Sequence, residues 1–299
     1  MGDLETFLGL RRSLFAVAYR MLGSATEAED VVQEAYVRWS GRGQGEVTAP
    51  TAYLTTVVTR LCIDHLRSAR ARRETYKGPW LPEPVEAGAP PPGESAELAD
   101  SLSLAFLVLL EELQPVERAA FLLHDVFDYP YDEIAAIVDR TEPACRQLVS
   151  RARRRVDAPK HRFDADRAHG RELTRRFLAA CGSGDLDGLL SLLADDVTVW
   201  TDGGGKVRAA LRPVTGPPRA ARFLLSVARR IPAGVAAREV DLNGQPGLVF
   251  EDGDEQVTVA LTLDVVDDRI VDVRVVTNPD KLLALQPGRR PHLSELFAP

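Results

Sequence analysis

The chain has 299 residues, of which 45% are hydrophobic and 27% charged, and its formal net charge at pH 7 is −7. This length predicts two or three soluble domains, and the absence of an apolar run of roughly 20 residues argues against a membrane-spanning segment. The N-terminal sequence lacks the basic start and apolar block of a signal peptide. The widely spaced Cys62, Cys145 and Cys181 argue against disulfides and a zinc site, and they predict a cytoplasmic protein.

The basic residues are unevenly distributed. One cluster contains Arg60, Arg67, Arg70, Arg72 and Arg73, and a second contains Arg146, Arg151, Arg153, Arg154 and Arg155. One cluster alone is typical of a solvated helix face. Two clusters on an acidic chain favour two separate contacts with a polyanion such as nucleic acid.

The N-terminal segment predicts three helices. Apolar residues from Phe7 to Met21 recur every three or four positions, and Gly23 ends that helix. Either Ser24 with Glu27 or Thr26 with Glu29 forms a capping box for the second helix. The core face of the second helix contains Ala28, Val31, Val32, Ala35 and Trp39, and its other side carries Glu27, Asp30, Glu34 and Arg38.

A polar loop from Gly41 to Ala49 separates the second helix from the third, which Pro50 opens. The apolar face of the third helix contains Leu54, Val57, Val58, Leu61 and Cys62, and Arg60, Arg67 and Arg70 share a basic face. The spacing of Asp64 and Arg67 predicts an ion pair on the helix surface. These three helices predict a small all-helical domain that ends near Arg73.

Residues 76–97 read "YKGPWLPEPVEAGAPPPGESAE". Proline, glycine and acidic residues dominate, so this stretch predicts an extended linker without a core of its own. Trp80 is costly to leave in water, and we expect it to dock against another part of the chain.

Helical periodicity resumes from Leu98 to Val156. The last two helices, "YDEIAAIVDR" and "TEPACRQLVSRARRRV", are separated by a tight turn, which is typical of a helix-turn-helix. The expected inner face of the last helix is Ala144, Leu148 and Ala152, and its expected outer face is Arg146, Gln147, Ser150, Arg151 and Arg154. Arginine and glutamine can make paired hydrogen bonds to base edges.

The remaining third predicts an α+β domain. Two helices, near Arg171–Cys181 and Leu186–Leu193, precede the strands "VTVWT" and "VRAALR", and a helix near Arg219–Arg230 follows. Alternation from Val257 to Val265 predicts a half-buried strand, with hairpin turns at Asn243-Gly244 and Asp252–Asp254. The segment "DDRIVDVRVVTNP" is expected to complete an antiparallel sheet.

The stretch "DGGGK", residues Asp202 to Lys206, invites comparison with a phosphate-binding loop. A P-loop requires a serine or threonine after the lysine and a helix thereafter, whereas Val207 and Arg208 follow here in a strand-like segment. Glycines between two such segments favour a hairpin turn instead. Similarly, Asn278 and Pro279 of "NPDKL" fit the capping and first positions of a helix.

The front of the chain resembles regions two and four of an extracytoplasmic-function sigma factor. The segments that carry the resemblance are "AEDVVQEAYVRW", "AYLTTVVTRLCIDHLRSARARRE" and "YDEIAAIVDRTEPACRQLVSRARRRV". The rest resembles a SnoaL-like domain, a cone-shaped α+β fold. The resemblance implies a multidomain chain with two all-α domains followed by the α+β cone. The expected parts are region two (1–75), a linker (76–97), region four (98–157), a second linker (158–170), the SnoaL-like domain (171–290) and a tail (291–299).

The resemblance implies two partners, core RNA polymerase and promoter DNA, without a cofactor or a membrane. The residues expected to bind the polymerase are Asp30, Gln33 and Glu34. The minus-ten element would meet the loop at 41–49, and its contacts would be Trp39, Tyr53, Arg60, Arg67 and Arg70. Arg60 stands where many relatives have asparagine, and Trp39 fits the core equally well. The minus-thirty-five element would meet Arg146, Gln147, Ser150, Arg151 and Arg154.

The motifs WLPEP, DGGGK and NPDKL resemble those of sigma factors that carry a SnoaL-like extension. We expect the linker residues Trp80, Leu81, Pro82, Glu83 and Pro84 to dock on the other two motifs. Those motifs contain Asp202, Gly203, Gly204, Gly205 and Lys206, and Asn278, Pro279, Asp280, Lys281 and Leu282. Lys206 is expected to meet Glu83. Such docking would regulate how regions two and four spread over the polymerase.

Two other classes of protein stay open on sequence alone. A SnoaL-like isomerase or cyclase needs groups for proton transfer, but no histidine or tyrosine lies between Gly170 and Pro291, and Asp202 has no visible partner acid. We therefore expect no catalytic residues. A one-component helix-turn-helix regulator with a ligand-sensing cone accounts for region four but leaves region two unexplained. The cone leaves room for a small ligand of unknown kind.

Overall fold

The computed structural model describes residues 3–41, 47–73, 75–86, 101–156 and 167–287. The chain divides into two units. The helical unit contains Met1–Thr75, Pro92–Leu102 and Phe106–His161, and the C-terminal unit contains Tyr76–Pro91, Ser103–Ala105 and Arg162–Pro299. Among the described residues, every helix is too short or too polar to cross a bilayer.

Seven α-helices are described from the N-terminus through the helical unit. Their bounds are α1 Asp3–Leu22, α2 Ala25–Ser40, α3 Pro50–Arg73, α4 Leu104–Leu110, α5 Pro115–Phe121, α6 Tyr131–Val138 and α7 Glu142–Val156. A π-helical turn, Leu122–Val126, follows α5. Ser24 caps α2 by accepting a hydrogen bond from the amide of Glu27, at 3.1 Å. The expected core face of α2 is confirmed, because Ala28, Val31, Val32, Ala35 and Trp39 are buried.

The helix-turn-helix is formed by α6 and α7, with Asp139 in the left-handed conformation at the end of α6. The inner face of α7 differs from the expected one, because Cys145, Val149 and Ala152 are buried. A stripe at a strict spacing of four residues drifts around a helix of 3.6 residues per turn, as Ala144, Leu148 and Ala152 would. Spacings of four and then three residues, as from Cys145 to Val149 to Ala152, keep side chains on one face of the helix. Ala144 and Leu148 lie half-buried beside that core face.

The C-terminal unit combines three helices with a six-stranded sheet. The helices are α8 Arg167–Ser183, α9 Leu186–Leu192 and α10 Pro217–Ala228. The strands are β1 Leu193–Asp202, β2 Val214–Thr215, β3 Ala236–Leu242, β4 Gln245–Glu251, β5 Val257–Val266 and β6 Arg269–Val276, and a 3-10 helix, Pro279–Leu285, follows. Apolar residues of these helices, including Leu173, Phe177, Leu224 and Leu225, form one core with sheet residues such as Leu261 and Leu263 of β5. The fold class expected from the sequence is confirmed.

The sheet differs from the expected one in two places. Its strand order is β2-β1-β6-β5-β4-β3, so β6 lies in the middle and pairs in parallel with β1. The expected strand "VRAALR" is irregular, because Ala210 exchanges two hydrogen bonds with the side chain of Thr201, at 2.8 and 3.1 Å. The Thr201 side chain thus replaces the backbone hydrogen bonds that a second strand would make. DGGGK is therefore a turn after β1 and does not join two paired strands.

Candidate linker-docking site and nucleic-acid interface

Asp202, at the end of β1, lies at the centre of a buried polar site. Its side chain is fully buried and accepts hydrogen bonds from the Tyr76 hydroxyl at 2.5 Å, the Leu81 amide at 2.8 Å and the Gly204 amide at 3.0 Å. The ammonium group of Lys281 lies 2.7 Å from the second carboxylate oxygen. A buried carboxylate requires such compensation, and here two of the four donors come from the linker.

Lys281 supplies the positive charge of this site. Its side chain is 8% exposed, and its ammonium also donates to the carbonyl oxygen of Leu81. The same nitrogen lies 4.1 Å from the ring centroid of Trp80 and 5.0 Å from that of Tyr76, which are cation–π distances. One buried ion pair, Asp202 with Lys281, therefore contacts both aromatic residues and the backbone of the linker.

Tyr76 is a residue that the sequence patterns did not single out. Burial and the hydrogen bond to Asp202 raise the pKa of its hydroxyl above the ordinary value, so the group stays protonated and can donate. The oxygen also accepts a hydrogen bond from the side-chain amide of Asn278, at 3.1 Å. Tyr76 thus connects the DGGGK motif, through Asp202, to the NPDKL motif, through Asn278.

The glycines of DGGGK allow neighbouring side chains to lie close to the backbone. Gly204 and Gly205 have φ angles of +60° and +71°. A Cβ atom on Gly204 would collide with the side chain of Asn278, and one on Gly205 would lie 2.8 Å from the side chain of Lys77. Any larger residue at either position would therefore be strained in its backbone and would push neighbouring side chains away.

Lys206 has a different partner from the one expected. Its ammonium lies 2.5 Å from the Asp280 carboxylate, and both side chains are more than half exposed, at 54% and 61%. The pair links DGGGK to NPDKL on the surface rather than meeting Glu83, which is buried in the linker. The lysine that contacts the linker is Lys281.

The far end of the described linker is also held. The amide of Val85 donates to the side-chain oxygen of Asn243 at 3.0 Å, and the amide of Asn243 donates to the Val85 carbonyl at 2.8 Å. Glu86 forms an antiparallel bridge with Leu242 and an ion pair with Arg238, at 3.3 Å. Asn243 is expected as a turn residue from the sequence, and no pattern indicates this pairing.

All five WLPEP residues are at least half-buried. Leu81, Pro82, Glu83 and Pro84 are buried, and Trp80 is intermediate. In NPDKL, Asn278 caps the 3-10 helix by accepting from the Asp280 amide, and Pro279 lies at its start. Leu282 is buried with the linker-contacting Lys281 in that helix. The three motifs therefore form one contiguous contact within the C-terminal unit.

A separate apolar cavity of about 520 Å³ lies between α8, α10 and strands β4 to β6. Its lining includes Phe177, Cys181, Leu224, Phe250 and Leu261, together with Arg229. Among the described residues, the lining contains no aspartate, glutamate, histidine or tyrosine. Asp202 belongs to the linker contact and is not among the residues that line this cavity.

In the helical unit, Asp30, Gln33 and Glu34 are exposed on α2, on the side opposite its buried stripe. Glu34 forms an ion pair with Arg38 at 2.5 Å, and both side chains are about half exposed, at 51% and 52%. Such exposed pairs contribute little to stability. The acidic face is therefore accessible without being required for the fold.

The expected minus-ten residues have different surroundings. Trp39 is 7% exposed with its ring 5.9 Å from that of Tyr53, so Trp39 is a core residue whose faces are not open to a base. Tyr53 is half-buried beside the loop, of which residues 42–46 lie outside the described part. Arg67 pairs with Asp64 at 3.1 Å.

Arg60, another basic residue of this set, contacts the end of α6. Arg60 donates to the carbonyl oxygens of Ile137 and Ala136, at 2.9 and 3.0 Å, at the end of α6. Its guanidinium is therefore partly engaged within the helical unit. The side chain of Arg70 lies outside the described part of the structure.

The outer face of α7 is exposed as expected, with Arg146, Gln147, Ser150, Arg151 and Arg154 all accessible. Arg146 lies 3.3 Å from Glu142 and 4.3 Å from the Tyr131 ring centroid. Arg151 lies 3.9 Å from Glu117. Arg153 and Arg155 are committed to structural pairs, with Asp125 at 2.7 Å and Glu117 at 2.9 Å.

Comparisons with known proteins agree with this layout. Residues 7–72 match the Sigma-70 region 2 family, and residues 103–156 match the Sigma-70 region 4 family. The ECF RNA polymerase sigma factor SigJ of Mycobacterium tuberculosis is 41% identical over 291 residues, which cover 93% of each chain. The probable ECF RNA polymerase sigma factor SigI of the same species is 38% identical over 185 residues, or 61% of this chain and 64% of that protein. The crystal structure of Mycobacterium tuberculosis SigJ matches with a TM-score of 0.75 and 35% identity, covering 95% of this chain and 99% of that chain.

Proposed function

The chain belongs to the extracytoplasmic-function family of RNA polymerase sigma factors, and we propose that its C-terminal unit regulates promoter-specific initiation by holding the linker between regions two and four. The observation that carries this proposal is the buried pair of Asp202 and Lys281, which contacts the linker at Tyr76, Trp80 and Leu81. Both halves of the pair come from motifs outside the two sigma regions.

Docking of the linker limits the distance that can separate region two from region four. Residues 76–86 would span up to about 40 Å if they were free and extended, since each residue adds at most about 3.6 Å. Docking withdraws that length from the chain joining region two to region four. Release of the linker would therefore widen the set of separations that the two regions can adopt on the polymerase.

We assign the exposed acidic face of α2, Asp30, Gln33 and Glu34, to core polymerase. The minus-ten element is assigned to Tyr53, Arg67 and Arg70, with Arg60 available once its contact with α6 opens. Trp39 is withdrawn from this set because its ring is buried. The minus-thirty-five element is assigned to the outer face of α7, residues Arg146, Gln147, Ser150, Arg151 and Arg154.

Two features favour a regulator over an enzyme. The SigJ match spans the C-terminal unit as well as the sigma regions, because it covers 93% of the chain. The described lining of the apolar cavity lacks side chains suited to proton transfer at neutral pH. A small apolar ligand in this cavity is compatible with regulation and would not require catalysis.

Run-off transcription with added core polymerase tests the proposal. The full chain should support initiation from selected promoters, and the Asp202→Asn variant should change its yield while retaining core binding. A one-component regulator would instead bind its DNA equally well without core. Transcription that is unaffected when the linker is shown to be released would contradict regulation through docking.

We predict different roles for two exposed residues of α7. Gln147, near the start of the helix, faces base edges, whereas Arg154, two turns later, contacts phosphate. Gln147→Ala should change the ranking of minus-thirty-five variants in transcription, and Arg154→Ala should weaken all of them to a similar extent. An unchanged ranking for the Gln147 variant would count against base readout there.

A further inference from the structure

Four arginines lie on α10 and immediately after it in the C-terminal unit: Arg219, Arg222, Arg229 and Arg230. All four side chains are exposed. Within the described part of the chain, none of them forms an ion pair or a side-chain hydrogen bond. The sequence of α10, PPRAARFLLSVA, contains no acidic residue that could neutralise them.

Some other arginines of this unit are paired, whereas Arg176, Arg208 and Arg212 are exposed and form no ion pair among the described residues. Arg171 lies 2.8 Å from the Asp241 carboxylate and Arg175 lies 2.9 Å from that of Glu239. Exposed acids of this unit include Asp195 and Asp196 on β1, Asp187 on α9, and the turn residues Asp254, Glu255, Asp267 and Asp268. The positive face of α10 is therefore a local feature of an otherwise mixed surface.

A stabilising effect on the helix explains at most two of the four arginines. Cations near the C-terminal end of a helix are favoured by its dipole, which suits Arg229 and Arg230. Arg219 lies in the first turn, where the dipole disfavours positive charge, and Arg222 lies near the middle of the helix, where the dipole has little effect. The helix dipole therefore does not account for the arginines at those two positions.

Three of the arginines line a cleft. Arg222, Arg229 and Arg230 surround a volume of about 320 Å³ together with Leu225 and Ser226 of α10, and Gly184 and Leu186. Among the described residues, the neighbouring acids form no ion pairs with these arginines. The Asp185 carboxylate accepts from the Gly188 amide, at 2.9 Å, and Asp187 is exposed without an ion pair among the described residues.

We propose that this face, the α10 arginine face, binds the phosphate backbone of duplex DNA. The four residues cover about 16 Å along the helix axis, at about 1.5 Å per residue. Duplex DNA presents one charge per about 1.7 Å of its axis, so a face of that length can meet several phosphates. An extended row of guanidinium groups suits a polyanion better than a single small anion. The inference rests on the proposed function, which brings promoter DNA to this protein.

The test measures how the affinity of the full chain, bound to core polymerase, for labelled duplex DNA depends on salt. Each phosphate contact adds about 0.9 to the slope of log affinity against log salt concentration. Arg222→Gln and Arg230→Gln should each lower the slope by about 0.9, and the double variant by about 1.8. The decrease should be the same on a promoter and on a duplex of scrambled sequence, because phosphates carry no sequence information.

Arg175→Gln is the matched control, since it removes the same charge from an arginine that Glu239 already holds. Its slope should equal that of the unmodified chain. Equal slopes for the double variant and the control would overturn the proposal. That outcome would leave the proposed function intact as long as Gln147→Ala still alters the ranking of promoters.

Discussion

Replacing Lys281 with alanine is expected to release the linker from the C-terminal unit. The substitution leaves the Asp202 carboxylate buried without its counter-charge, and breaking a buried pair in this way costs about 3–5 kcal/mol. It also removes the donor to the Leu81 carbonyl and the cation beneath the Trp80 ring. The linker can avoid this cost by detaching and letting water reach Asp202.

Hydrogen exchange measures the release directly. The Leu81 amide donates to Asp202 and the Val85 amide donates to Asn243, so both amides should be protected in the unmodified chain. In Lys281→Ala, the exchange of both should accelerate, and the yield of run-off transcription should change in the same variant. Lys281→Met keeps most of the side-chain volume and separates the loss of charge from the loss of packing.

Lys206→Ala is the matched control for this experiment. It removes a lysine from the neighbouring motif, but the pair that Lys206 forms with Asp280 is exposed and contributes about 0–1 kcal/mol. Linker exchange and transcription should remain close to those of the unmodified chain. Similar exchange at Leu81 in both lysine variants would show that the buried pair does not hold the linker.

The same control addresses the resemblance of DGGGK to a phosphate loop. Calorimetry with ATP or GTP should detect no binding that depends on Lys206. Micromolar binding that is lost in Lys206→Ala, together with unchanged exchange of the linker amides, would restore the phosphate-loop interpretation and remove the docking one.

Local patterns predicted the core face of α2 correctly and that of α7 one position away from the observed one. The buried stripe of α2, including Trp39, follows directly from apolar spacing, and Ser24, one of the two expected capping residues, caps that helix. A periodic pattern records which side of an element is apolar, and that side is buried regardless of which neighbour covers it. Such features need no knowledge of distant parts of the chain.

Contacts between distant segments were less predictable. Strand alternation does not specify a partner, so the parallel pairing of β1 with β6 could not be read from either strand. The choice between Lys206 and Lys281 as the lysine that contacts the linker depends on the path of the chain after β6. Asn243 has a φ angle of +53°, which fits its expected turn, yet its side chain also binds Val85.

The exposed acidic face of α2 is expected to hold the chain on core polymerase. Reversing the charges of Asp30 and Glu34 on α2 should abolish co-purification of the chain with core. Truncating one charge of a buried, hydrogen-bonded interfacial pair costs about 2–5 kcal/mol. Two such losses at about 2 kcal/mol each would weaken binding roughly a thousandfold, since each 1.4 kcal/mol is about tenfold.

The fold should tolerate this change, because both side chains are exposed and the pair of Glu34 with Arg38 is a surface pair. Circular dichroism should therefore give the same helical content as the unmodified chain. Reversing Asp195 and Asp196, which are exposed at the start of β1, makes the same change in net charge outside the proposed surface. Retained core affinity in the α2 variant, or an equal loss in the β1 control, would refute the assignment of this face, because a specific interface must distinguish the two.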